Sequence, residues 1–424
     1  AVTAPHCRIQ RTVKDFIEKA FKQFIYGINQ PAGNRSYQSP FTNVSYYDHT
    51  YFDSLFGEFY YPDGTKPQWE AIDYLQRLFM KFFNKLRTKQ ILTFPVETMA
   101  MVYDPKTNDI IDKDYKDFTA EMYAEGHSFF TYISDSADSL ASCCRLRNEL
   151  AENTFNPTSG LTGVMTGSCN VITLNLNRII QDWYRSIPSM TLAGLIPEKK
   201  HLVSDMLCTS PIWGFKEYLI NILDRVYKYH IAYKTMLYDI EDARMLTSSN
   251  AGYIYMKKLY STIGLNGINE AAEFLGIECS YNEEYKNFCK LITSTIKEQN
   301  KLHNIQDKDK PFLFNQEFVP AESLGAKNYN WDKEDGYKVH PDRVLYNSYF
   351  YLAHDNTSVL DKFRLHGKEF TETLDGGVGC HINLEEHLSK NQYLKLIEFA
   401  VKNGTSYFTF NIPNSECEDC HYIV

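Results

Sequence analysis

The sequence predicts an α/β fold with a largely parallel sheet. Along its 424 residues, segments of helical periodicity alternate with short runs rich in β-branched and aromatic residues. This alternation is typical of one α/β domain, and no internal repeat or low-complexity linker interrupts it. An open doubly wound sheet also fits the order, but no G-x-G-x-x-G motif follows a strand, so a dinucleotide-binding fold has no support.

Four segments carry the clearest helical signal. In each segment apolar residues recur at steps of three and four positions. The helix-breaking residues Pro31 and Gly33 follow the first segment. The predicted helices cover residues 9–28, 67–88, 110–125 and 214–240. Short apolar runs between polar loops predict strands over residues 40–45, 91–96, 129–133, 171–176, 312–319, 381–384 and 406–410.

Composition excludes several classes of protein. Hydrophobic residues make up 43% of the chain, which is enough for a sizeable core and excludes general disorder. Lys and Arg number 44 against 53 Asp and Glu, so the net charge of −9 argues against a nucleic-acid partner. No apolar run reaches the roughly 18 residues of a membrane span, and no signal segment opens the chain. We therefore expect a cytoplasmic protein without a membrane partner.

Ten cysteines in a chain of this length are too sparse for a secreted disulfide scaffold. The vicinal pair Cys143-Cys144 precedes Arg145, whose charge can lower a thiol pKa. This pair is either a reactive sulfur, nucleophilic, redox or radical, or two buried loop residues. Cys417 and Cys420 have the C-x-x-C spacing of half a zinc site.

Several polar and glycine-rich segments are candidates for ligand binding. The candidate residues are Ser168, Cys169, Asn170, Asn347, Ser348, Gly376 and Gly377. The first three follow a glycine-rich stretch that permits close approach of a ligand. The others offer hydroxyl, amide and backbone N–H donors to a phosphate. Each segment is also consistent with an ordinary loop.

A set of motifs occurs together in a fixed order. They are Ser39-Pro40-Phe41-Thr42-Asn43, Cys143-Cys144-Arg145-Leu146, the segment from Asn170 to Leu176, Ile263-Gly264-Leu265-Asn266-Gly267, Pro320-Ala321-Glu322, the segment from Tyr346 to Phe350 and the segment from Phe408 to Asn414. From about residue 8 to residue 420 the chain resembles the anaerobic (class III) ribonucleoside-triphosphate reductases, which are glycyl-radical enzymes.

The resemblance implies a particular architecture. Members have a ten-stranded α/β barrel of two five-stranded parallel halves, with an internal finger loop that carries the radical cysteine. We expect residues 1–413 to form this barrel and residues 414–424 to begin a zinc-binding region.

The resemblance also implies a mechanism. A radical-SAM activase, with a 4Fe-4S cluster and S-adenosylmethionine, makes a glycyl radical that generates a thiyl on the finger loop. The thiyl abstracts the ribose 3′ hydrogen and the 2′ hydroxyl leaves as water, with formate as the reductant in many members. The Cys-Arg motif assigns the thiyl to Cys144, with Cys143 as the close alternative. Thr42 and Asn43 join the substrate-binding candidates.

Further expectations concern ligands and assembly. The resemblance implies ribonucleoside triphosphates as substrates, ATP and deoxynucleoside triphosphates as effectors, a structural zinc at Cys417 and Cys420, and a homodimer.

Two departures from the family pattern are visible. The sequence has no glycyl-radical motif after Cys420 and no recognisable ATP-cone regulatory domain before Cys7. We therefore expect the chain to be the catalytic barrel of a longer protein, able to bind nucleotides but not to turn over alone. Two alternatives remain at this level: another glycyl-radical enzyme of the pyruvate formate-lyase kind, and a non-catalytic regulatory protein that binds nucleotides.

Overall fold

The computed structural model describes residues 3–31, 39–137, 139–142, 145–149, 167–187, 214–319, 322–351 and 357–411. The chain divides into two compact units. The first contains residues 1–143, 381–401 and 408–424, and the second contains residues 144–380 and 402–407. None of the helices described is both long enough and apolar enough to cross a membrane.

The helices and strands follow the predicted alternation. The helices are α1 Thr3–Ile28, α2 His49–Phe56, α3 Trp69–Arg87, α4 Lys113–Ala124, α5 Leu176–Ser186, α6 Phe215–Asp242, α7 Thr247–Asn250, α8 Ile268–Phe274, α9 Glu283–His303, α10 Glu322–Glu334, α11 Val359–Leu365, α12 Lys368–Thr371 and α13 Lys390–Asn403. The strands are β1 Asn43–Tyr47, β2 Val96–Asp104, β3 Asp109–Ile110, β4 Phe130–Ser134, β5 Ser139–Ser142, β6 Arg145–Glu149, β7 Gly167–Asn175, β8 Leu259–Asn266, β9 Leu313–Glu317, β10 Cys380–Asn383 and β11 Tyr407–Asn411.

The first unit is built on a six-stranded sheet in the order β1-β2-β4-β11-β10, with the short β3 paired to β2. β1, β2 and β4 run parallel to one another. Residues 97–102 of β2 are all buried, as expected for a parallel strand that is covered on both faces.

Aromatic side chains form much of the core of this unit. The rings of Tyr123 and Phe129 stack with centroids 4.0 Å apart, and Phe410 meets Tyr123 edge-on at 4.8 Å. Tyr393, on α13, stacks on Tyr123 at 5.3 Å. These contacts join α4, α13 and β11, and they account for part of the unusually high aromatic content.

The second unit contains a three-stranded parallel sheet in the order β7-β8-β9. Thr262 on β8 lies opposite Asn315 on β9, and Asn175 at the end of β7 lies opposite Asn266 at the end of β8. α9 packs on both β9 and α6. Because the three strands run parallel, their carboxyl ends lie along one edge of the sheet.

The prediction of an α/β fold with parallel strands is confirmed, and the four predicted helices correspond to α1, α3, α4 and α6. The strand predicted over 91–96 is wrong: Ile91 is exposed and β2 begins only at Val96. Pro95 has no N–H to donate to a ladder, so the strand begins after it. The described residues form separate sheets of six, three and two strands, so the closed ten-stranded barrel remains a prediction, as does the division at residue 413.

Candidate active site

The predicted site residues are distributed between the two units. Thr42 and Asn43 lie at the start of β1 in the first unit, whereas the predicted residues from Ser168 to Gly377 lie in the second. The four cysteines predicted to react or to bind metal lie outside the described residues: Cys143, Cys144, Cys417 and Cys420.

Thr42 and Asn43 attach the start of β1 to its neighbour β2. The backbone N–H of Val96 donates to the carbonyl oxygen of Thr42 at 2.8 Å. The hydroxyl of Thr98 donates to Oδ1 of Asn43 at 3.4 Å. The motif thus has a structural role in the sheet, with Thr42 acting through its backbone and Asn43 through its side chain.

A β-bulge separates the three consecutive candidates on β7. Ser168 pairs with Tyr260 and Asn170 pairs with Ser261, so Cys169 is the extra residue of the bulge. A bulge changes the alternation of side chains along a strand. The carbonyl oxygen of Tyr260 lies 3.3 Å from the thiol of Cys169 and 3.4 Å from the hydroxyl of Ser168, so both side chains can donate to it.

Polar side chains form a row across the three strands, from the amino end of β7 to the middle of β8 and β9. The hydroxyl oxygens of Ser168 and Thr262 lie 2.6 Å apart, and the Thr262 hydroxyl donates to Oδ1 of Asn315 at 2.8 Å. Thr262 and Asn315 are buried, whereas Ser168 is exposed. Because the Thr262 proton goes to Asn315, Ser168 donates to Thr262, and its exposed oxygen can accept from a sugar hydroxyl.

α6 presents two buried basic side chains to β7 and β8. His230 and Lys234 are four residues apart and therefore share one face of the helix. Nδ1 of His230 lies 3.1 Å from Oδ1 of Asn170, and burial lowers the pKa of His230 to about 4, so the neutral ring donates to Asn170. Lys234 donates to the carbonyl oxygen of Leu259 at 2.6 Å. Burial lowers the pKa of Lys234 to about 8, with Cys169 acting in the opposite direction.

At the carboxyl edge of the sheet, Asn266 holds the segment that carries Asn347 and Ser348. Its Nδ2 lies 3.1 Å from the carbonyl oxygen of Tyr346, 3.2 Å from that of Asn347 and 3.2 Å from Oγ of Ser348. Its Oδ1 accepts from Nδ2 of Asn328 at 2.8 Å. Because both the Nδ2 and the Oδ1 of this buried amide have partners, the side chain of Asn266 has one orientation and holds the segment in a defined position.

The carboxylate of Asp332 accepts hydrogen bonds from several side chains at the same edge, including that of Tyr346. One carboxylate oxygen accepts from Nδ2 of Asn175 at 2.9 Å and from Nε of Arg178 at 2.7 Å. The other accepts from Nδ2 of Asn177 at 2.9 Å and from the hydroxyl of Tyr346 at 2.7 Å. The side chain is fully buried, so these four donors compensate its loss of hydration.

Gly376 and Gly377 lie beside the carboxyl end of β9. The N–H of Gly376 donates to the carbonyl oxygen of Gln316 at 2.9 Å. A Cβ on Gly376 would lie 2.6 Å from that oxygen, and Gly377 has a φ of +88°. Both positions therefore require glycine, and the amide of Gly376 already serves the sheet.

The structure brings some of the candidates together and separates others. Asn347, Ser348, Gly376 and Gly377 share the carboxyl edge of the sheet. Ser168 lies opposite Tyr260, six residues before Asn266 on β8, which is roughly 20 Å along a strand. The two groups are therefore too far apart to contact the same part of one ligand.

Sequence reasoning did not identify four buried residues that position the site: His230, Lys234, Asn266 and Asp332. Asn266 was visible only as part of a family motif. The four-residue spacing of His230 and Lys234 is common on helices and not specific. Asp332 acts across more than 150 residues of sequence, and no local pattern indicates it.

Comparisons with known proteins agree on one family. The family model for anaerobic ribonucleoside-triphosphate reductase matches residues 1–424. A solved anaerobic ribonucleotide reductase is 26% identical with a TM-score of 0.78, over 98% of this chain and 60% of its own. The enzyme from Thermotoga maritima in complex with dATP and CTP is 26% identical with a TM-score of 0.77, over 98% of this chain and 63% of its own. A search of curated proteins found no match.

The chain thus spans less than two thirds of the length of these solved relatives. Because the family model covers the whole chain, the chain belongs to the anaerobic ribonucleoside-triphosphate reductase family.

Proposed function

We propose that this chain carries the catalytic part of an enzyme that reduces ribonucleoside triphosphates to deoxyribonucleoside triphosphates without oxygen. The observation that supports this most strongly is the family match along the entire chain. It favours this reductase over a glycyl-radical enzyme of the pyruvate formate-lyase kind. The proposal includes a glycyl radical, formate as reductant and the closed ten-stranded barrel of the family, with a cytoplasmic location.

The proposed reaction depends on a thiyl at Cys144. The thiyl takes the 3′ hydrogen of the ribose, and the 2′ hydroxyl is protonated and leaves as water. Formate supplies two electrons and the hydrogen for C2′ and becomes carbon dioxide. The 3′ hydrogen then returns from the thiol to C3′, which regenerates the thiyl. We expect Cys144→Ala in the full-length, activated enzyme to abolish deoxynucleotide formation and to leave nucleotide affinity unchanged. Loss in Cys143→Ala with turnover in Cys144→Ala would move the thiyl by one residue. Absence of a glycyl radical in electron paramagnetic resonance, with nucleotide binding intact, would favour a regulatory protein.

We place the triphosphate at the carboxyl edge of the second unit's sheet. Ligands of α/β proteins bind at this edge of parallel strands, and Asn347 and Ser348 are held there by Asn266. Ser348→Ala should weaken nucleotide binding in calorimetry by about tenfold, the effect of one hydrogen bond to a charged group. Ser358→Ala, which removes the cap of helix α11, is the control. Equal affinities for the two variants would contradict this placement.

Ser168 and Asn170 are proposed to contact the ribose or formate. Ser168 is exposed at the end of its polar row, so its replacement by Ala should leave the fold intact. We expect Ser168→Ala to raise the KM for formate or substrate. Unchanged kinetics would restrict Ser168 to a structural role.

We place an effector triphosphate in a groove of the first unit between α1 and α3. The groove has a volume of about 290 Å³, and its charged lining residues are Lys14, Glu18, Lys81, Lys85 and Lys89. Lys14 approaches Glu18 at 3.7 Å and Lys81 pairs with Glu121 at 2.9 Å, so Lys85 and Lys89 add most to the positive charge of the groove.

The double variant Lys85→Met with Lys89→Met should weaken dATP binding and make the remaining binding less dependent on salt. Lys106→Met, at an exposed turn of the same unit, removes one charge where the double variant removes two, and is the control. A loss of affinity in the control equal to that in the double variant would show a general effect of charge.

The remaining partners follow from the family. We propose that Cys417 and Cys420 contribute two thiolates to a four-cysteine structural zinc site. Stoichiometric zinc on this chain would mean that other ligands such as His421 complete the site. We also propose a homodimer and activation by a radical-SAM activase with S-adenosylmethionine and a 4Fe-4S cluster, testable by light scattering and by radical formation on mixing.

A further inference from the structure

The sheet β7-β8-β9 of the second unit has one face that is covered and one face that is accessible. Residues that pair across parallel strands share a face, and the faces alternate along each strand. Gln316 faces α9, because its Nε2 donates to the carbonyl oxygen of Thr293 at 2.6 Å, and Ile263, its partner in register, is completely buried. Val171, which pairs with Thr262, lies on the opposite face and is 42% exposed. The open face is the one that carries Val171, Thr173, Thr262 and Gly264.

Thr173 and Gly264 lie next to each other on the open face, where they pair in register between β7 and β8. A Cβ on Gly264 would overlap the hydroxyl of Thr173 and would lie only 3.0 Å from the Cβ of Thr173 and 3.1 Å from Cγ1 of Val171. Gly264 does not have a positive φ, so its backbone conformation does not require glycine. The missing side chain instead leaves the space in which the hydroxyl of Thr173 lies across the sheet.

The hydroxyl of Thr173 is available to a ligand. It forms no hydrogen bond with any residue that the structure describes, and the residue is partly exposed. A hydroxyl that is held in place by its neighbours and lacks a partner is an unusual feature of a folded protein. Because it can both donate and accept a hydrogen bond, it suits the hydroxyl of a sugar.

Thr173 lies between the two groups of residues that are candidates for nucleotide binding. Along β8, its partner Gly264 is two residues before Asn266, whose side chain holds the edge where the triphosphate is proposed to bind. Gly264 is also two residues after Thr262, which contacts Ser168. Two residues of a strand span roughly 7 Å. The ribose follows directly after the α-phosphate in a nucleoside triphosphate, so a ribose whose phosphates lie at the edge reaches Thr173 before Ser168.

We infer that the hydroxyl of Thr173 binds a hydroxyl of the substrate ribose, and that Gly264 is a positioning residue that leaves room for it. The inference rests on the proposed function, because it names the part of the substrate that the open face recognises. It also gives Gly264 a role within the motif from Ile263 to Gly267.

Calorimetry on this chain tests the inference with ribonucleoside triphosphates and with their 2′-deoxy and 3′-deoxy analogues. Thr173→Val has nearly the same shape and lacks the hydroxyl. It should weaken ribonucleotide binding about fivefold, the effect of one hydrogen bond, and leave the affinity for one of the two analogues unchanged. That analogue identifies the sugar hydroxyl that Thr173 binds. Nucleotide binding in the first unit is common to all variants and cancels in this comparison.

Matched variants separate this contact from a general loss of structure. Thr173→Ser keeps the hydroxyl and should keep the affinity. Gly264→Ala should weaken ribonucleotide binding about as much as Thr173→Val, because its methyl group displaces the hydroxyl. The double variant should bind no more weakly than Gly264→Ala alone, since two changes that remove the same contact are not additive. Thr235→Val, at an exposed position of α6, is the control and should bind normally.

Full ribonucleotide affinity in Thr173→Val, or an equal loss for the ribonucleotide and both analogues, would overturn the inference and leave the proposed function in place. Additive losses in the double variant would overturn the role of Gly264. Absence of ribonucleotide binding by the unaltered chain would contradict the proposed function and the inference with it. If circular dichroism shows that Gly264→Ala does not fold, Thr173→Val and Thr173→Ser decide the matter on folded protein.

Discussion

Replacement of Asp332 by Asn should destabilise the second unit far more than replacement of Asp335, an exposed residue that pairs with the same arginine, Arg178. Asp332 is fully buried and its two oxygens accept four hydrogen bonds. An asparagine keeps one acceptor oxygen and turns the other position into a donor. The amide will keep its oxygen toward Asn177 and Tyr346, which are buried and cannot rehydrate.

The loss then falls on the contacts of Asn175 and Arg178. Both are hydrogen bonds to a charged carboxylate, and each is worth about 1.5 kcal/mol. We therefore expect Asp332→Asn to lower the free energy of unfolding by about 3 kcal/mol, a large fraction of the stability of an ordinary domain.

Asp335→Asn is the matched control. Asp335 pairs with Nη2 of the same Arg178 at 2.7 Å, but its side chain is 57% exposed. Exposed pairs contribute about 0–1 kcal/mol. Urea unfolding at pH 7 with an unchanged m value measures both variants. If the free energies of unfolding of the two variants differ by less than about 1 kcal/mol, the buried Asp332 network does not contribute the stability expected of it.

Two further predictions concern stability. Burial lowers the pKa of His230 to about 4, so the contribution of this residue to the free energy of unfolding is fully present above the unfolded-state pKa near 6.5 and is lost as pH falls toward 4. Urea unfolding at pH 5 should therefore show a free energy of unfolding about 2 kcal/mol lower than at neutral pH, and His230→Gln should remove this difference. Gly376→Ala places a Cβ 2.6 Å from the Gln316 carbonyl oxygen and should lower the melting temperature by the equivalent of about 1–3 kcal/mol. Gly27→Ala, with nothing within 4 Å, should have no destabilising effect; equal melting temperatures for the two glycine variants would refute the steric argument.

The elements of the fold were predictable where local sequence determines them. The periodicity of α3 and α6 and the apolar runs of β4 and β11 depend on residues near one another in the chain. The strand predicted over 91–96 was wrong because Pro95 stops the ladder, although the run itself is apolar. Strand order and sheet membership depend on pairing between distant segments, which the sequence of any one segment does not encode.

The candidate site was predictable to the extent that motifs mark it. Ser348 and Gly376 were identified and share the carboxyl edge of one sheet. The bulge at Cys169 was not predicted, since it depends on the register between β7 and β8. Asp332 and His230 were also missed, because their roles follow from burial and from partners far away in the sequence.

The structure also explains why two of the motifs occur together. The motif that ends in Asn266-Gly267 and the segment from Tyr346 to Ser348 are separated by about 80 residues, yet they form one hydrogen-bonded unit. Gly267 has a φ of +79° and its N–H donates to the carbonyl oxygen of Asn347 at 2.9 Å. A side chain at residue 267 would be strained and would approach Tyr346 at 3.3 Å. The two motifs therefore act together: they fix the backbone at the edge of the sheet where the triphosphate is proposed to bind.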